Sequence, residues 1–177
     1  MKATKYNVLL TNCFLLVLVL LSSTVAFADD DDHKRNKSKY LVPVNNDTFK
    51  KKCGACHFAY QPGLLPSVSW EKILNNLPAH FGKKASLNQE QKSIISDYLR
   101  ANAAEHSSAK RARKILKSLR GQTPLRITET PYIREKHNEL DSNIFSRPSI
   151  GSRSNCIACH PTAEQGNYDD DFVKIPE

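Results

Sequence analysis

The chain has 177 residues and carries 26 Lys and Arg against 18 Asp and Glu, which gives a formal net charge of +8. A basic balance can indicate a nucleic-acid partner, but no recognisable nucleic-acid-binding motif accompanies these residues. We therefore expect no nucleic-acid partner, and the function has to be sought in the motifs along the chain.

The N-terminus has the features of an export signal. Two lysines precede an apolar run over residues 14–21, and Ala26-Phe27-Ala28 matches a cleavage site with small residues. The run is too short for a membrane-spanning helix, which needs about 20 apolar residues. We predict a signal peptide over residues 1–28, followed by a flexible leader over residues 29–45 that is rich in charge.

The sequence C-x-x-C-H occurs twice, over residues 53–57 and 156–160. Two thiols at this spacing can form thioethers with the vinyl groups of one haem, and the His that follows can bind its iron. Removal of the signal peptide also removes Cys13, so four Cys remain, which is the number that two haems use. We predict two covalently bound haems c. The attachment residues are Cys53, Cys56, Cys156 and Cys159, and the proximal iron ligands are His57 and His160.

Two other uses of these cysteines have to be weighed. A zinc site could use all four thiolates, but it does not need a His after each pair. A redox-active dithiol would be expected to have an α/β pattern around a single pair, and that pattern is absent. The haem interpretation explains both the cysteines and the histidines.

Three helices are predicted around the first motif. The first begins at Asn46 or Asp47, the second is capped by Ser67, and the third covers residues 87–103 and is capped by Ser86. The second helix carries the apolar stripe Trp70, Ile73, Leu74 and Leu77. The third buries Ile94, Ile95, Tyr98 and Leu99. This order resembles a small class I cytochrome c domain, in which the first and last helices pack together.

The second half of the chain predicts a strongly basic helix that begins after Ser107 or Ser108 and ends before Gly121. Its apolar stripe is formed by Ala112, Ile115, Leu116 and Leu119. Its exposed side holds Lys110, Arg111, Arg113, Lys114, Lys117 and Arg120. This side is either a solvated helix face or a docking surface for an acidic redox partner, and the sequence leaves both interpretations open. A further helix starts at Thr130-Pro131 and places His137 on its apolar side.

Together these elements predict a mainly α fold with two small haem-binding domains. The first covers residues 46–104 and is like class I cytochrome c, and the second covers residues 105–177. Each domain is small for an independent hydrophobic core, and a covalently attached haem would add a large apolar group to it.

The remaining histidines are the candidates for the sixth, distal ligand of each iron. Met ligation is excluded because the only Met is Met1, which leaves with the signal peptide. His80 lies on a loop near the first motif, and His137 lies among apolar neighbours, whereas His33 and His106 lie in polar segments. We predict that His80 and His137 are the distal ligands, one for each haem, although spacing does not determine which serves which. The alternative for both is an ordinary core histidine with a hydrogen-bond partner.

Several segments together resemble the small periplasmic dihaem cytochrome c family. They are Cys53 to His57, Leu64-Leu65-Pro66 to Trp70, His80-Phe81-Gly82 to Leu87, Ile127 to Pro131 with His137, and Cys156 to Gly166. The segments span nearly the whole chain after the signal peptide, in the same order. The resemblance implies one haem in each of two domains, bis-histidine ligation, and electron delivery to a small oxygen-binding cytochrome c. It also indicates a membrane cytochrome b as a source of electrons.

We therefore expect an electron carrier of the periplasm, a monomer with at most peripheral membrane contact, and not an enzyme. Two histidine ligands saturate the iron, and without a thioether ligand both potentials are expected to be low. The alternative is a peroxidase-like enzyme or a gas-binding sensor with one five-coordinate haem. Such enzymes are usually much longer, and no acid/base group accompanies either motif.

Overall fold

The computed structural model of the protein describes residues 38–177. The predicted signal peptide and the first part of the predicted leader lie outside these residues. In the described part of the chain the regular structure is helical, with one isolated bridge between His80 and Lys83 and no strand. The α-helices are α1 Asp47–Cys53, α2 Ser67–Asn75, α3 Gln89–Ala101, α4 Lys110–Leu119, α5 Pro131–Lys136 and α6 Cys156–Cys159. This confirms the prediction of a mainly α fold.

Short 3-10 helices connect or follow the α-helices. They cover Pro62–Leu64, Leu77–Ala79, Ala104–His106, Ile127–Glu129, Ser142–Ser146, Ala163–Gln165 and Asp170–Phe172. None of the helices in residues 38–177 has the length and apolar character that crossing a bilayer requires.

Helix α1 begins as predicted, because the Asn46 side chain accepts a hydrogen bond from the Phe49 backbone N–H at 2.8 Å. Phe49 is buried and packs against Tyr98 of α3, with ring centroids 5.6 Å apart. The predicted contact between the first and third helices is therefore present, and it lies one turn before Cys53.

Helix α2 is capped differently from the prediction. Ser67 is its first residue instead of its N-cap, and the carboxylate of Glu105 accepts hydrogen bonds from the Ser67 backbone N–H and hydroxyl. A carboxylate at this end satisfies a free N–H and opposes the positive end of the helix dipole. Sequence spacing could not indicate this cap, because Glu105 lies 38 residues away. Trp70 and Leu74 are buried as predicted.

Helix α3 starts at Gln89, two residues later than the predicted start at residue 87. Its N-cap is Asn88, which forms a capping box with Gln91. Ile95 and Leu99 are fully buried, whereas Ile94 is 38 % exposed, so the prediction that Ile94 belongs to the core is wrong. Ile95 and Leu99 are four residues apart, so they share the helix face that packs into the core.

Helix α4 has neither Ser107 nor Ser108 as its cap, which corrects the prediction. Ala109 is the N-cap residue and makes no side-chain cap bond. The helix ends at Leu119, and its C-cap residue Arg120 has a φ of +47°, in the left-handed region. Three residues of the predicted apolar stripe, Ala112, Ile115 and Leu119, are buried.

Two hydrophobic clusters form the interior of the described chain. One lies among α1, α2 and α3 and contains Val44, Phe49, Leu65, Trp70, Leu74, Ile95, Leu99 and Ala103. The other surrounds α4 and contains Leu41, Phe58, Leu64, Ala104, Ala109, Ala112, Ile115, Ala163 and Tyr168. The described residues belong to one compact unit, and the division at residues 104/105 stays a prediction.

Residues 38–45 of the predicted leader are packed onto this unit. Leu41 is 2 % exposed, and its backbone N–H donates to the Gly166 carbonyl at 3.2 Å. Lys39 pairs with Asp169 at 2.7 Å. The N-terminal segment thus contacts the C-terminal part of the chain, directly beside the second C-x-x-C-H motif.

Candidate haem sites

The first motif follows directly from the end of α1. Cys53 is the last residue of the helix, and the Gly54 N–H donates to the Lys50 carbonyl at 2.9 Å. A Cβ atom at Gly54 would overlap that carbonyl oxygen, so the tight exit from the helix requires glycine. Cys53 is half-buried and Cys56 is exposed. The helix therefore fixes the first thiol and leaves the second on the surface beside it.

The structure brings His80 to the first motif. The ring centroids of His57 and His80 are 6.3 Å apart, with an angle of 26° between the ring planes. Two imidazoles on opposite sides of one metal, each with a metal–nitrogen bond of about 2 Å, have ring centres roughly 6 Å apart. The two rings therefore have the spacing of a pair that shares one iron.

A tight turn holds His80 in this position. The Lys83 N–H donates to the His80 carbonyl at 3.0 Å, and Phe81 and Gly82 have φ values of +50° and +84°. Positive φ at both central residues is the pattern of a type I′ turn, which glycine adopts readily and phenylalanine does not. Burial, followed by the charges of His57 and Arg126, lowers the pKa of His80 and keeps its lone pair available.

The second motif occupies the short helix α6 and its C-terminal end. The His160 N–H donates to the Cys156 carbonyl at 2.8 Å, and the Lys174 N–H donates to the Cys159 carbonyl at 2.9 Å. Cys156 and Cys159 are both half-buried. The C-terminal segment is thus hydrogen-bonded to the second motif. The cysteines of this motif are more buried than those of the first, in which Cys56 is exposed.

His137 is the histidine that the structure brings to the second motif. Its ring centroid lies 6.1 Å from that of His160, with an angle of 73° between the planes. The spacing again matches two imidazoles on one metal, but the planes are closer to perpendicular than at the first motif. His106 is exposed, in agreement with its expected place on the surface, and His33 lies outside the described residues.

Backbone carbonyls orient two of these rings. His57 Nδ1 lies 2.8 Å from the Phe58 carbonyl, and His137 Nδ1 lies 2.7 Å from the Ile133 carbonyl. An N–H donated from Nδ1 leaves the lone pair on Nε2, which is the tautomer that a metal ligand needs. The hydrogen bonds therefore prepare Nε2 of each ring to bind iron.

His160 is the most enclosed of the histidines at the two motifs. Its Nδ1 atom is buried and has no hydrogen-bond partner among the described residues. Burial, and then the charges of His137 and Arg111, lower the pKa of this imidazole to about 4. The ring is therefore neutral at physiological pH and can offer a lone pair to a metal.

A cavity of about 1220 Å³ contains the second motif. This exceeds the roughly 300–1,000 Å³ of ordinary small-molecule pockets, so it can hold a large planar group. His137, His160, Cys156 and Cys159 all line it. The rest of the wall combines apolar and aromatic side chains with seven basic residues and three acidic ones, so its net charge is positive. The apolar and aromatic members include Tyr132, Ile133, Phe145, Ile150 and Tyr168; the basic ones include Arg111, Lys114, Lys117 and Arg120; the acidic ones are Glu135, Glu139 and Asp170. An apolar interior with a cationic wall fits a haem, which has an apolar ring and two carboxylates.

The geometry does not fit the two alternatives to haem. Within residues 38–177, no group of three or more His, Cys, Asp or Glu side chains comes together in a way that could hold a metal ion, whereas a four-thiolate zinc site needs both Cys pairs at one point. Burial raises the pKa of Cys53 and of Cys156 to about 11. A redox-active dithiol needs a lowered thiol pKa, so neither pair has that character.

Three residues that the sequence analysis did not identify connect the two motifs. The Tyr60 ring lies 4.8 Å from that of His57, and its hydroxyl donates to the Ser154 carbonyl at 2.5 Å. Gln61 is buried; its Nε2 donates to the Ala163 carbonyl at 2.6 Å, and its Oε1 accepts from the Tyr168 hydroxyl at 2.7 Å. Tyr168 in turn packs against His160, with ring centroids 5.5 Å apart. Only the position of Tyr60 and Gln61 directly after the first motif could have indicated a role.

Comparisons with known proteins agree with this arrangement. The family model of dihaem cytochrome c matches residues 49–168. A solved dihaem cytochrome c from Rhodobacter sphaeroides is 42 % identical and has a TM-score of 0.61; the match covers 72 % of this chain and 99 % of that one. A second Rhodobacter sphaeroides structure, of purified DHC, is 39 % identical with a TM-score of 0.59, covering 72 % of this chain and 100 % of that one.

A dihaem cytochrome c from Shewanella baltica is 35 % identical and has a TM-score of 0.61; the match covers 74 % of this chain and 93 % of that one. No curated protein matches the chain. The family match covers both motifs and the helices α2 to α6 described above. The chain belongs to the dihaem cytochrome c family and carries two covalently bound haems c.

Proposed function

We propose that this protein is a periplasmic electron-transfer cytochrome in which both irons have two histidine ligands. His57 and His80 would bind the first iron, and His160 and His137 the second. The observation that carries the proposal is the spacing of the two ring pairs, 6.3 Å and 6.1 Å between centroids. Thioethers from Cys53 and Cys56 would attach the first haem, and thioethers from Cys156 and Cys159 the second.

Haem supplies an iron that changes by one electron between the ferric and ferrous states. The residues of the chain keep its coordination constant through that change. The backbone carbonyls of Phe58 and Ile133 fix the rings of His57 and His137 by their Nδ1 atoms. Ligands that are already oriented need little rearrangement when the charge changes, and this favours electron transfer.

Two histidines on each iron leave no coordination position for a substrate or a gas. This supports an electron carrier over the peroxidase-like enzyme and the gas-binding sensor, both of which need an open position. We further propose that both potentials are low, because histidine replaces the thioether ligand that raises the potential in other cytochromes c.

We propose a small oxygen-binding cytochrome c as electron acceptor and a membrane cytochrome b as donor. Membership of the family supports the first, and the basic side of α4 supports an acidic docking partner. Lys114, Lys117 and Arg120 are exposed and also line the cavity of the second motif. A partner bound there would approach the second haem under favourable charge.

Carbon monoxide tests the ligation directly. The reduced wild-type protein is expected to keep its low-spin spectrum under carbon monoxide, whereas His80→Ala and His137→Ala should each bind one equivalent. His106→Ala is the matched control, because His106 is exposed and outside both motifs. Rapid binding to the wild-type protein would instead favour an enzyme or sensor.

Electron paramagnetic resonance (EPR) of the oxidised protein provides a second test. Nearly parallel imidazole planes give a rhombic low-spin ferric signal, and nearly perpendicular planes give a strongly anisotropic one. The angles of 26° and 73° therefore predict one signal of each type, the rhombic one from His57/His80 and the anisotropic one from His137/His160. A single type of signal for both haems would contradict these ligand pairs.

A further inference from the structure

Arg111 lies on the wall of the cavity that contains the second motif. Its Nη2 donates to the Tyr168 carbonyl at 2.7 Å, and its guanidinium carbon lies 5.2 Å from the Tyr168 ring centroid and 5.8 Å from that of Tyr132. The side chain is half-buried, and these contacts hold it from two sides. Its positive charge therefore has a fixed position close to His160.

No carboxylate neutralises this charge within ion-pair distance in the described part of the chain. Asp169 pairs with Lys39 at 2.7 Å, and Asp170, which also lines the cavity, is largely exposed and pairs with Lys136 at 3.3 Å. The guanidinium of Arg111 and the imidazole of His160 both contact the Tyr168 ring and line the same cavity, so the charge lies beside the second motif.

The first motif has a different electrostatic environment. Arg126 is the guanidinium next to its distal turn, with its central carbon 4.0 Å from the Phe81 ring centroid. Glu129 pairs with it at 3.4 Å, and both side chains are largely exposed. Cys56 and His57 are exposed as well. Water and a counter-charge therefore weaken the effect of Arg126 on the first site.

We propose that the fixed positive charge of Arg111 raises the reduction potential of the second haem above that of the first. Reduction removes one positive charge from an iron site, so a fixed cation in a partly enclosed pocket favours the reduced state. In transfer between the sites, the first iron loses one electron and the second gains it, and no bond or proton has to change. The proposal rests on the ligand pairs proposed above, and it assigns entry of electrons to the first site and exit to the second.

A reductive titration of the holoprotein with dithionite, followed by EPR, tests the order of reduction. The anisotropic signal of His137/His160 is expected to disappear before the rhombic signal of His57/His80. The reverse order, with both signals present at the start, would overturn the role of Arg111 and leave the ligand pairs intact. A starting spectrum without these two signals would contradict the ligand pairs themselves, and this proposal with them.

Two substitutions at Arg111 separate charge from packing. Arg111→Gln removes the charge and is expected to lower the potential of the anisotropic site by about 59 mV, a tenfold change in the electron distribution between the sites, without moving the other site. Arg111→Lys keeps the charge and should restore most of that shift. Equal shifts in the two variants, or no shift in Arg111→Gln, would refute the proposal.

Arg113→Gln is the matched control. Arg113 belongs to the same helix and carries the same charge, but it is exposed and its side chain donates to the Ser108 carbonyl at 2.8 Å. It does not line the cavity. Its removal is expected to leave both potentials unchanged, and a shift as large as that of Arg111→Gln would show that net charge, and not the position of Arg111, sets the difference.

Discussion

Gly166 offers a sharp test of the contact between the N-terminal segment and the second site. Its φ is +75°, and a Cβ atom would overlap the backbone oxygen of Leu41. Gly166→Ala is therefore expected to force Leu41 away and to weaken the hydrogen bond from the Leu41 N–H to the Gly166 carbonyl, which is 3.2 Å long. Leu41 is 2 % exposed, so its displacement also disturbs the core around α4.

The magnitude follows from two contributions. Alanine in the left-handed region costs about 1–2 kcal/mol, and a weakened hydrogen bond adds about 1 kcal/mol. We expect Gly166→Ala to lower the free energy of unfolding by about 2–3 kcal/mol, and by more if the Leu41 side chain becomes exposed.

Gly151→Ala is the control for the backbone term alone. Gly151 has nearly the same φ, +74°, but a Cβ atom there would meet nothing within 4 Å. Gly151→Ala should therefore lower the free energy of unfolding by about 1–2 kcal/mol. Guanidinium unfolding of the oxidised holoprotein measures both values, and equal losses for the two variants would refute the argument that Leu41 opposes Gly166.

Further predictions concern the core and the pH dependence. Gln61→Leu should cost about 2–3 kcal/mol of unfolding free energy, because it leaves the Tyr168 hydroxyl without its acceptor in a buried place. Ile95→Ala should cost about 2–5 kcal/mol and Ile94→Ala less than about 1 kcal/mol, since the two side chains are 0 % and 38 % exposed. Burial acts to raise the pKa of Glu105, but hydrogen bonds from the start of α2 outweigh it and lower that pKa from 4.5. Its stabilising contribution is therefore complete above pH 4.5 and lost as the pH falls through the lower folded value, so Glu105→Gln should flatten the acid limb of the stability curve; an unchanged limb would contradict this.

The features that the sequence determined by itself are local. C-x-x-C-H brings its thiols and imidazole together within five residues, whatever the rest of the chain does, so the haem prediction needs no tertiary information. The cap at Asn46 and the apolar stripe of α4 depend on neighbours within one or two turns, and both are present in the structure. The prediction that neither iron has a Met ligand depends only on the composition and on the predicted loss of Met1 with the signal peptide.

Two predicted caps, Ser67 and Ser86, were wrong because another residue provides the cap, from a distance in one case and from two positions away in the other. Ser67 has the spacing of an N-cap, but the carboxylate of Glu105 takes that role from 38 residues away. Ser86 was predicted as the cap of α3, but Asn88 with its partner Gln91 forms the cap two residues later. Local patterns allow several starts for a helix, and packing selects one of them.

Only the tertiary structure decided which histidines meet. His80 and His57 are 23 residues apart and His137 and His160 likewise 23, so spacing alone could not exclude the crossed arrangement. The type I′ turn at Phe81-Gly82 and the end of α5 bring each ring to about 6 Å from its partner. The same holds for Gln61 with Tyr168 and for Arg111 beside His160, whose contacts join distant parts of the chain. Contacts of that kind depend on how helices pack, because no periodicity within one helix encodes them.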